Sequence, residues 1–393
     1  PLCLIIEKDT VKSEMLLCYR NFMNESDTVR VTILPAIIQL TKIFHDPELQ
    51  KSHIQSINNA SIDKSWRVRN ELANLYPKFI DYFQNNPNID LVQPICTLMR
   101  DSETEVKASA LKALNQIITK LSKDKVISQI VPTLRGLNNE SNKDTKSNIG
   151  LLFGPLSKII GYPTFNSNLG SMMEALMKDE NAEVRLGIVK SMFNIFESSE
   201  GSLLSSINNF LGTLQKDNKY RIRECVYDTL AKLGVNYGLE VFKNNIEGLF
   251  FNYLSDNVAS VREIGIKSLS GLIKQFGNNW VITSLIPKLQ NLLNQKSISY
   301  LNRMCIIHSV AVCAEFLDNK QNEEIIIPLI NKGLKDNIPN VRFYTIKLIE
   351  KILNYFDIDS KKKLEGNIKS LMNDEDDDVK YFACKFIEGI INK

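Results

Sequence analysis

The sequence contains little of the chemistry that enzymes use. Only three of its 393 residues are histidine, and it has no G-x-G-x-x-G, G-K-[ST] or H-E-x-x-H motif. Its 48 basic and 45 acidic residues give a net charge of +3, so it has no strong basic field for nucleic acid or an anionic membrane. No apolar run reaches the roughly 18 residues of a membrane helix. The composition therefore gives no support to nucleotide-hydrolase, nucleic-acid or membrane classes, and we expect no cofactor and no metal.

The cysteines follow neither a disulfide nor a metal pattern. They number seven, which is odd, and no two are spaced as C-x-x-C. They are Cys3, Cys18, Cys96, Cys225, Cys305, Cys313 and Cys384. We interpret them as small buried hydrophobes in a reducing compartment, so a cytoplasmic location is expected and a nuclear one is left open. No signal peptide is present, and the start at Pro1 inside helical sequence suggests a fragment of a longer protein.

A repeat of about 39 residues runs through the chain. In each unit a basic residue, most often within Val-Arg, stands early in an apolar-periodic helix, and successive basic residues are 38, 39 or 41 positions apart. These residues are Arg30, Arg69, Lys107, Lys146, Arg185, Arg223, Arg262, Arg303, Arg342 and Lys380. A period of this length predicts stacked two-helix units rather than one closed core.

A turn residue lies six positions before each basic residue. Seven of these ten residues are Asp: the set is Asn24, Asp63, Asp101, Glu140, Asp179, Asp217, Asp256, Ser297, Asp336 and Asp374. This spacing is the HEAT pattern. We predict that the acid accepts N–H groups at the start of the second helix, and that the basic residue bridges to the acid of a neighbouring repeat. Separate caps and solvated cations are the alternative, and Ser297 departs from the pattern.

The repeat around Asp256 illustrates the predicted architecture. An apolar stripe from Leu239 to Leu254 forms helix A, Asp256 and Asn257 break it, and helix B follows until Phe276-Gly277. No alternating β pattern competes. We therefore predict an all-α fold, a HEAT-repeat α-solenoid of about ten two-helix repeats that spans residues 1–393 as one domain. A repeat array exposes a long surface with few closed pockets, which favours protein binding.

Two clusters could be taken for chemical sites. Cys305 and His308 are one helical turn apart, but no orienting acid is near in sequence, so a core histidine is favoured over a catalytic base. The acid run Asp374–Asp378 lacks the alternation and the glycine of an EF-hand. It stands where the dipole of the following helix favours negative charge, and a protein contact is the alternative. We expect the protein not to be an enzyme.

Short strings identify a family that the chain resembles. The sequence resembles the scaffolding (A) subunits of protein phosphatase 2A, repeat by repeat. The strings are VKSE (Val11–Glu14) with SDTVR, DKSWRVR (Asp63–Arg69), EVRL, DNVASVRE, YLNRM, NVRF and DVKYFA. This resemblance implies that the ten repeats correspond to the last ten of fifteen.

The resemblance also implies two partners and a set of contact residues. It places an exchangeable regulatory subunit on residues 1–200 and the phosphatase catalytic subunit on residues 201–393, each held at turns between helices A and B. The residues implied for the catalytic subunit are Lys219, Tyr220, Arg221, Ala259, Tyr300, Leu301, Met304, Asn340 and Asp377. Those implied for the regulatory subunit are Asp63, Trp66 and Arg67. The family usually has Trp where Tyr220 stands and Tyr where Ala259 stands.

The residue types agree with this reading, because aromatic residues and Arg dominate interface energetics and here lie on turns. Packing of each aromatic over its neighbouring repeat is the alternative. Two other classes remain. An importin-β-like transport receptor predicts a longer chain with acidic stretches, and a nucleic-acid enzyme on a HEAT-like fold predicts a basic groove.

Overall fold

A computed structural model describes residues 17, 21–43, 47–83 and 91–391 of the chain. Within these ranges every regular element is a helix, and the predicted all-α HEAT-repeat solenoid is confirmed. The VKSE string at Val11–Glu14, two cysteines (Cys3 and Cys18) and His45 lie outside the described residues. No described helix is long and apolar enough to cross a membrane.

The B helices begin a few residues before each basic residue of the repeat. In chain order they are Asp27–Ile43, Trp66–Phe83, Thr104–Ile117, Lys143–Ile160, Ala182–Ser198, Tyr220–Val241, Ala259–Trp280, Tyr300–Cys313, Pro339–Ile352 and Asp377–Ile391. We number the repeats 1 to 10 by these helices. The two longest include the start of the following A helix, which a glycine separates from the B helix.

The A helices are shorter or are built from several kinds of turn. The α-helical parts are Pro47–Ser61, Val92–Met99, Lys123–Lys125, Val131–Gly136, Tyr162–Met177, Ile207–Leu214, Glu247–Phe250, Ile286–Leu293, Asn319–Gln321, Ile327–Leu334 and Ile358–Lys369. In repeats 4, 7, 8 and 9 a π-helical turn precedes the last α-helical part, at Val126–Ile130, Phe242–Ile246, Val281–Leu285 and Asn322–Ile326. Such turns insert one extra residue into the helical ladder.

The chain divides into two compact units, Pro1–Gly201 and Ser202–Lys393. In the first unit the B helices of repeats 4 and 5 lie side by side. The Ser191 hydroxyl donates a 2.7 Å hydrogen bond to the Gly150 carbonyl between them, and Leu152 and Phe153 are fully buried. The predicted assignment of one partner to residues 1–200 and another to 201–393 stays a prediction.

In the second unit each B helix packs on the next B helix and on an A helix. Aromatic rings fill the core at repeats 7 and 8, where Phe242 lies 5.9 Å from Trp280 and 5.2 Å from Phe276, centroid to centroid. The chain turns from helix B into helix A at Gly277, whose φ of 80° and ψ of 172° are open in practice only to glycine. The predicted stop at Phe276-Gly277 is confirmed.

Candidate partner-binding edge

Neighbouring repeats are joined by an ion pair that we call the inter-repeat clamp. In repeat 6, Arg223 Nε lies 2.7 Å from Asp256 Oδ2 and Nη2 lies 2.9 Å from Oδ1, so two parallel bonds reach the turn acid of repeat 7. The clamp recurs as Arg30–Asp63, Arg69–Asp101, Lys107–Glu140, Lys146–Asp179, Arg303–Asp336 and Arg342–Asp374. The predicted bridge between repeats is therefore confirmed at these boundaries.

Each clamp also fixes the turn from which it starts. Arg223 Nη1 donates to the Asp217 carbonyl of its own turn at 2.8 Å, and Asp256 Oδ1 accepts the Val258 N–H at 2.9 Å. Val258 is the residue just before the helix, so the acid shapes the turn rather than accepting an N–H of the first helical turn. In repeats 4 and 5, the side chains of Asn142 and Asn181 accept N–H groups of the first helical turn.

The clamp controls the charge of its acids. Burial alone would raise the pKa of Asp374, but hydrogen bonds from Arg342 and from the Asp376 N–H outweigh it and hold the pKa below the ordinary value. Asp179 behaves in the same way beside Lys146. The hydrogen bonds that Arg223 donates to Asp256 raise the pKa of Arg223. Asp374 and Asp179 are therefore charged at neutral pH, and the bonds that they accept are of the strong, charge-assisted kind.

In each compact unit, the first residues of the B helices form an exposed edge beside the clamps. Three aromatics occupy the same position on these edges, the first helical residue of repeats 2, 6 and 8. Trp66 is 41% exposed, Tyr220 41% and Tyr300 39%. These rings do not serve as core packing at that exposure, and exposed aromatics beside charged residues are typical of protein-binding surfaces. We call this surface the B-start edge.

In the second unit the predicted catalytic-subunit residues all fall near the starts of B helices. Tyr220 and Arg221 open the helix of repeat 6, after Lys219, and all three are exposed. The remaining residues lie in repeats 7 to 10: Ala259, Tyr300, Asn340 and Asp377 are exposed, while Leu301 and Met304 are half-buried. All of these residues thus lie at or near the start of a B helix. Their role in partner binding stays a prediction.

In the first unit the regulatory-subunit residues adjoin a clamp. The Asp63 carboxylate accepts both bonds from Arg30 and the Ser65 N–H, so Asp63 holds the turn in place. Arg67 is largely exposed, lies 3.4 Å from Asp27 and has its guanidinium carbon 5.8 Å from the Trp66 ring centroid. Trp66 and Arg67 therefore present a ring and a cation together at the surface.

The Cys305–His308 pair is not arranged for nucleophilic catalysis. Burial raises the pKa of the Cys305 thiol to about 12, which disfavours the thiolate. His308 Nδ1 lies 2.9 Å from the Tyr344 hydroxyl, and burial lowers the pKa of His308 to about 4. The acid run is likewise structural: Asp374 holds Arg342, and Asp376 accepts the Val379 N–H. Among the described residues no group of His, Cys, Asp or Glu could hold a metal ion.

One feature was not anticipated from the sequence, a cavity between B helices of repeats 7, 8 and 9. Its volume is about 150 Å³. The lining residues are Ala259, Arg262, Glu263, Ile266, Leu301, Met304, Cys305 and Tyr344. The sequence carried a signal for it, because Ser297 replaces the acid that Arg262 would otherwise reach. Three predicted contact residues, Ala259, Leu301 and Met304, open onto this cavity.

Curated proteins with similar sequences are phosphatase subunits. The A-type regulatory subunit of protein phosphatase PP2A from Saccharomyces cerevisiae is 28% identical over 121 residues, which cover 29% of this chain and 19% of that protein. The beta isoform of the 65 kDa A-type regulatory subunit of phosphatase 2A from Homo sapiens is 30% identical over 107 residues, 26% of this chain and 18% of that protein. Serine/threonine-protein phosphatase 4 regulatory subunit 1 of Mus musculus is 24% identical over 245 residues, 58% of this chain and 25% of that protein.

These alignments support distant homology to phosphatase regulatory subunits, as the resemblance implied. They are shorter than the repeat-by-repeat resemblance that the motifs indicated, and they span at most a quarter of each relative. Residues outside the aligned stretches therefore carry no comparison with those proteins.

Solved structures and a family model agree on the fold. A crystal structure of importin beta matches with a TM-score of 0.62 at 11% identity, over 98% of this chain and 52% of that chain. A Kap95:Nup1 complex matches with a TM-score of 0.59 at 12% identity, over 92% of this chain and 50% of that chain. At such identities the likeness shows the helical-repeat fold alone. Residues 91–366, well over half of the chain, match the model of the family PIK3R4-like, middle domain, and the chain belongs to that family.

Proposed function

We propose that this chain is a non-catalytic scaffold that holds the catalytic subunit of a serine/threonine protein phosphatase on the B-start edge of residues 202–393. An exchangeable regulatory subunit would bind the same kind of edge in residues 1–201, around Trp66 and Arg67. The complex would be a cytoplasmic hetero-oligomer. Each of these statements goes beyond the fold and the family, and each is open to a direct test.

The observation that carries the proposal is the set of exposed aromatics at equivalent helix starts. Tyr220 and Tyr300 are each about two-fifths exposed, and each ring is bordered by other predicted contact residues. Burying such a ring against a partner removes apolar area from water at about 25 cal/mol per Å². The turn before Tyr220 is fixed by Arg223, whose Nη1 donates to the Asp217 carbonyl at 2.8 Å, so little conformational entropy is lost there when a partner docks.

The class of partner is supported by the curated relatives. They are regulatory subunits of phosphatase 2A and of phosphatase 4, so a phosphatase catalytic subunit is the partner that the homology favours. The Cys305–His308 pair, the one candidate for nucleophilic chemistry that the sequence raised, is buried, and His308 bonds Tyr344. These observations support a role in holding partner proteins.

The proposal is tested by biolayer interferometry with the immobilised chain and purified catalytic subunits of the phosphatase 2A and phosphatase 4 types. The parent is expected to bind at least one of them. Arg221→Ala and Tyr300→Ala should each weaken binding roughly ten- to a hundredfold, as loss of 1–3 kcal/mol at a hot spot would. Circular dichroism should stay unchanged, because both side chains lie outside the core.

Tyr355→Ala is the matched control. Tyr355 is 40% exposed, as Tyr300 is, but lies beyond the opposite end of a B helix, in the 3₁₀ turn Leu353–Tyr355. Its removal should leave binding unchanged. Absence of binding by the parent to both catalytic subunits would rule out the proposed function, and equal effects of the two tyrosines would rule out the B-start edge.

A further inference from the structure

Arg262 lacks the acid that its counterparts hold. Arg223, Arg303 and Arg342 in the same unit each bond a carboxylate of the following repeat. Arg262 keeps only the bond to its own turn, in which Nη1 donates to the Asp256 carbonyl at 2.7 Å. No ion pair of Arg262 occurs among the residues that the structure describes. Its guanidinium therefore retains donors that its counterparts use on carboxylate oxygens.

The reason lies in the turn of repeat 8. Ser297 stands six residues before Arg303, the place that Asp256 and Asp336 take in repeats 7 and 9. The turn is also longer, since six residues separate Leu293 from Tyr300 whereas four separate Leu334 from Pro339. A clamp cannot close here, because serine offers no charge to the guanidinium.

Arg262 also lines the cavity described above. Its lining includes two residues of opposite charge, Arg262 and Glu263, and the apolar residues Ile266, Leu301 and Met304. Its volume of about 150 Å³ equals that of about five water molecules in the liquid, at roughly 30 Å³ each. One acidic side chain with its methylene groups fits such a space.

We propose that this cavity receives an Asp or Glu side chain of the phosphatase catalytic subunit, which completes the clamp at Arg262 from outside the chain. This inference rests on the proposed function. The seven internal clamps are its template, because each shows which group an Arg or Lys at this repeat position binds. The cavity is continuous with the B-start edge through Ala259, Leu301 and Met304, so a partner docked on the edge lies beside it.

A carboxylate fits the local charges better than a phosphate does. The charged groups that line the cavity are Arg262 and the exposed Glu263, and the Tyr344 hydroxyl is held by His308. A phosphate group carries nearly two negative charges and would be repelled more strongly by Glu263 than a carboxylate with one. A carboxylate also matches the two-oxygen geometry that an Arg fork prefers.

Two substitutions that are expected to change the binding affinity in opposite directions test the inference on the intact chain. With the catalytic subunit that binds the parent, Arg262→Gln should weaken binding at least about tenfold. Glu263→Gln should strengthen it, because the negative charge at the rim is removed. Neither residue holds an ion pair with another described residue, so the melting temperature should change little in Glu263→Gln. In Arg262→Gln it should fall modestly, because the bond from Arg262 to the Asp256 carbonyl is lost.

A third substitution supplies the missing acid from within. Ser297→Asp should raise the melting temperature and weaken binding together, because the internal carboxylate competes for Arg262, while Ser297→Asn should do neither. If the parent binds and Arg262→Gln binds equally well, the inference is wrong and the proposed function stands. A higher melting temperature in Ser297→Asp with full binding would also overturn it. If the parent binds no catalytic subunit, the proposed function fails first.

Discussion

Arg223 and Asp256 are joined across a repeat boundary by two parallel hydrogen bonds of 2.7 and 2.9 Å. Both side chains are nearly buried, with 11% and 7% of their surface exposed. Such a pair stabilises the stack because each charge compensates the burial of the other, and loss of one partner leaves the other uncompensated.

Removing one partner of this clamp should therefore be costly. We expect Arg223→Ala to lower the free energy of unfolding by about 3 kcal/mol, since the Asp256 carboxyl group loses its partner in a site with little solvent. Urea titration followed by circular dichroism measures the change. Lys232→Ala is the control: its pair with Asp228 is well exposed, so the change should be under about 1 kcal/mol. Equal losses in both variants would contradict a structural role for the clamp.

Gly265 should not tolerate a side chain. A Cβ at this position would lie 2.1 Å from Cγ of Tyr253. The ring of Tyr253 is buried, and its hydroxyl oxygen lies 2.9 Å from the Ser309 hydroxyl oxygen, with which it forms a hydrogen bond. The ring cannot retreat without losing that bond. We expect Gly265→Ala to destabilise the chain by about 3 kcal/mol or more, as overpacking of a filled core does. Thermal unfolding followed by circular dichroism measures this loss.

Gly271, on the same helix, gives the matched comparison. Nothing lies within 4 Å of a Cβ built there. Alanine is favoured over glycine inside a helix by about 1 kcal/mol, so Gly271→Ala should raise the melting temperature. Two Gly→Ala changes on one helix are thus expected to have opposite signs. A lower melting temperature in both variants would show that the contact with Tyr253 does not explain the loss in Gly265→Ala.

Stability should fall on mild acidification because of two histidines. Burial lowers the pKa of both His53 and His308 from 6.5 to about 4. The unfolded chain therefore binds protons at higher pH than the folded one. The stability that the neutral histidines contribute is fully present above pH 6.5 and is lost as the pH falls from 6.5 towards 4. Each histidine contributes a slope of up to about 1.4 kcal/mol per pH unit within that range.

Replacing one histidine should halve this dependence. His308→Gln keeps a polar partner for Tyr344 and does not titrate, so the fall in unfolding free energy between pH 6.5 and pH 4.5 should be about half that of the parent. Urea titrations across this range provide the measurement. An unchanged dependence would mean that His308 is protonated as readily in the folded chain as in the unfolded one.

The two edges should be separable by mutation. The double change Trp66→Ala with Arg67→Ala removes an exposed ring and an exposed cation, so it should weaken, by about tenfold or more, the binding of a phosphatase 2A regulatory subunit. It should leave binding of the catalytic subunit intact, since the proposed site for that partner lies in residues 202–393. Interferometry with each partner in turn measures both effects, and loss of catalytic-subunit binding would contradict the assignment.

The sequence was sufficient to predict the structural features that recur in every repeat. The spacing of Arg223 from Asp217 and Asp256 recurs along the chain, so both the turns and the bridges between repeats followed from one periodic pattern. Gly277 likewise marked the end of its helix correctly. Such features depend on local residue types and on the stacking of equivalent positions, both of which are visible in a single chain.

What the sequence did not predict depends on packing between particular side chains. The π-helical turn at Val281–Leu285 was not predicted, although Pro287 stands two residues after it, as Pro132 and Pro328 do after two of the other π-helical turns. The ring of Tyr253 packs directly against Gly265, and no periodic pattern in the sequence indicates this contact. The cavity beside Arg262 required the knowledge that Ser297 leaves a guanidinium without its acid and that Tyr344, two repeats further on, reaches the same space.

The serine at position 297 also has a mechanical consequence. In a stack where each repeat touches only its neighbours, an applied bend is shared among the boundaries according to their stiffness. Within residues 202–393, the pair Arg223–Asp256 ties repeat 6 to repeat 7, and the pair Arg303–Asp336 ties repeat 8 to repeat 9. No such pair of described residues ties repeat 7 to repeat 8. Bending of this unit is therefore expected to concentrate at one compliant joint, and an acid inserted at Arg262 would stiffen it.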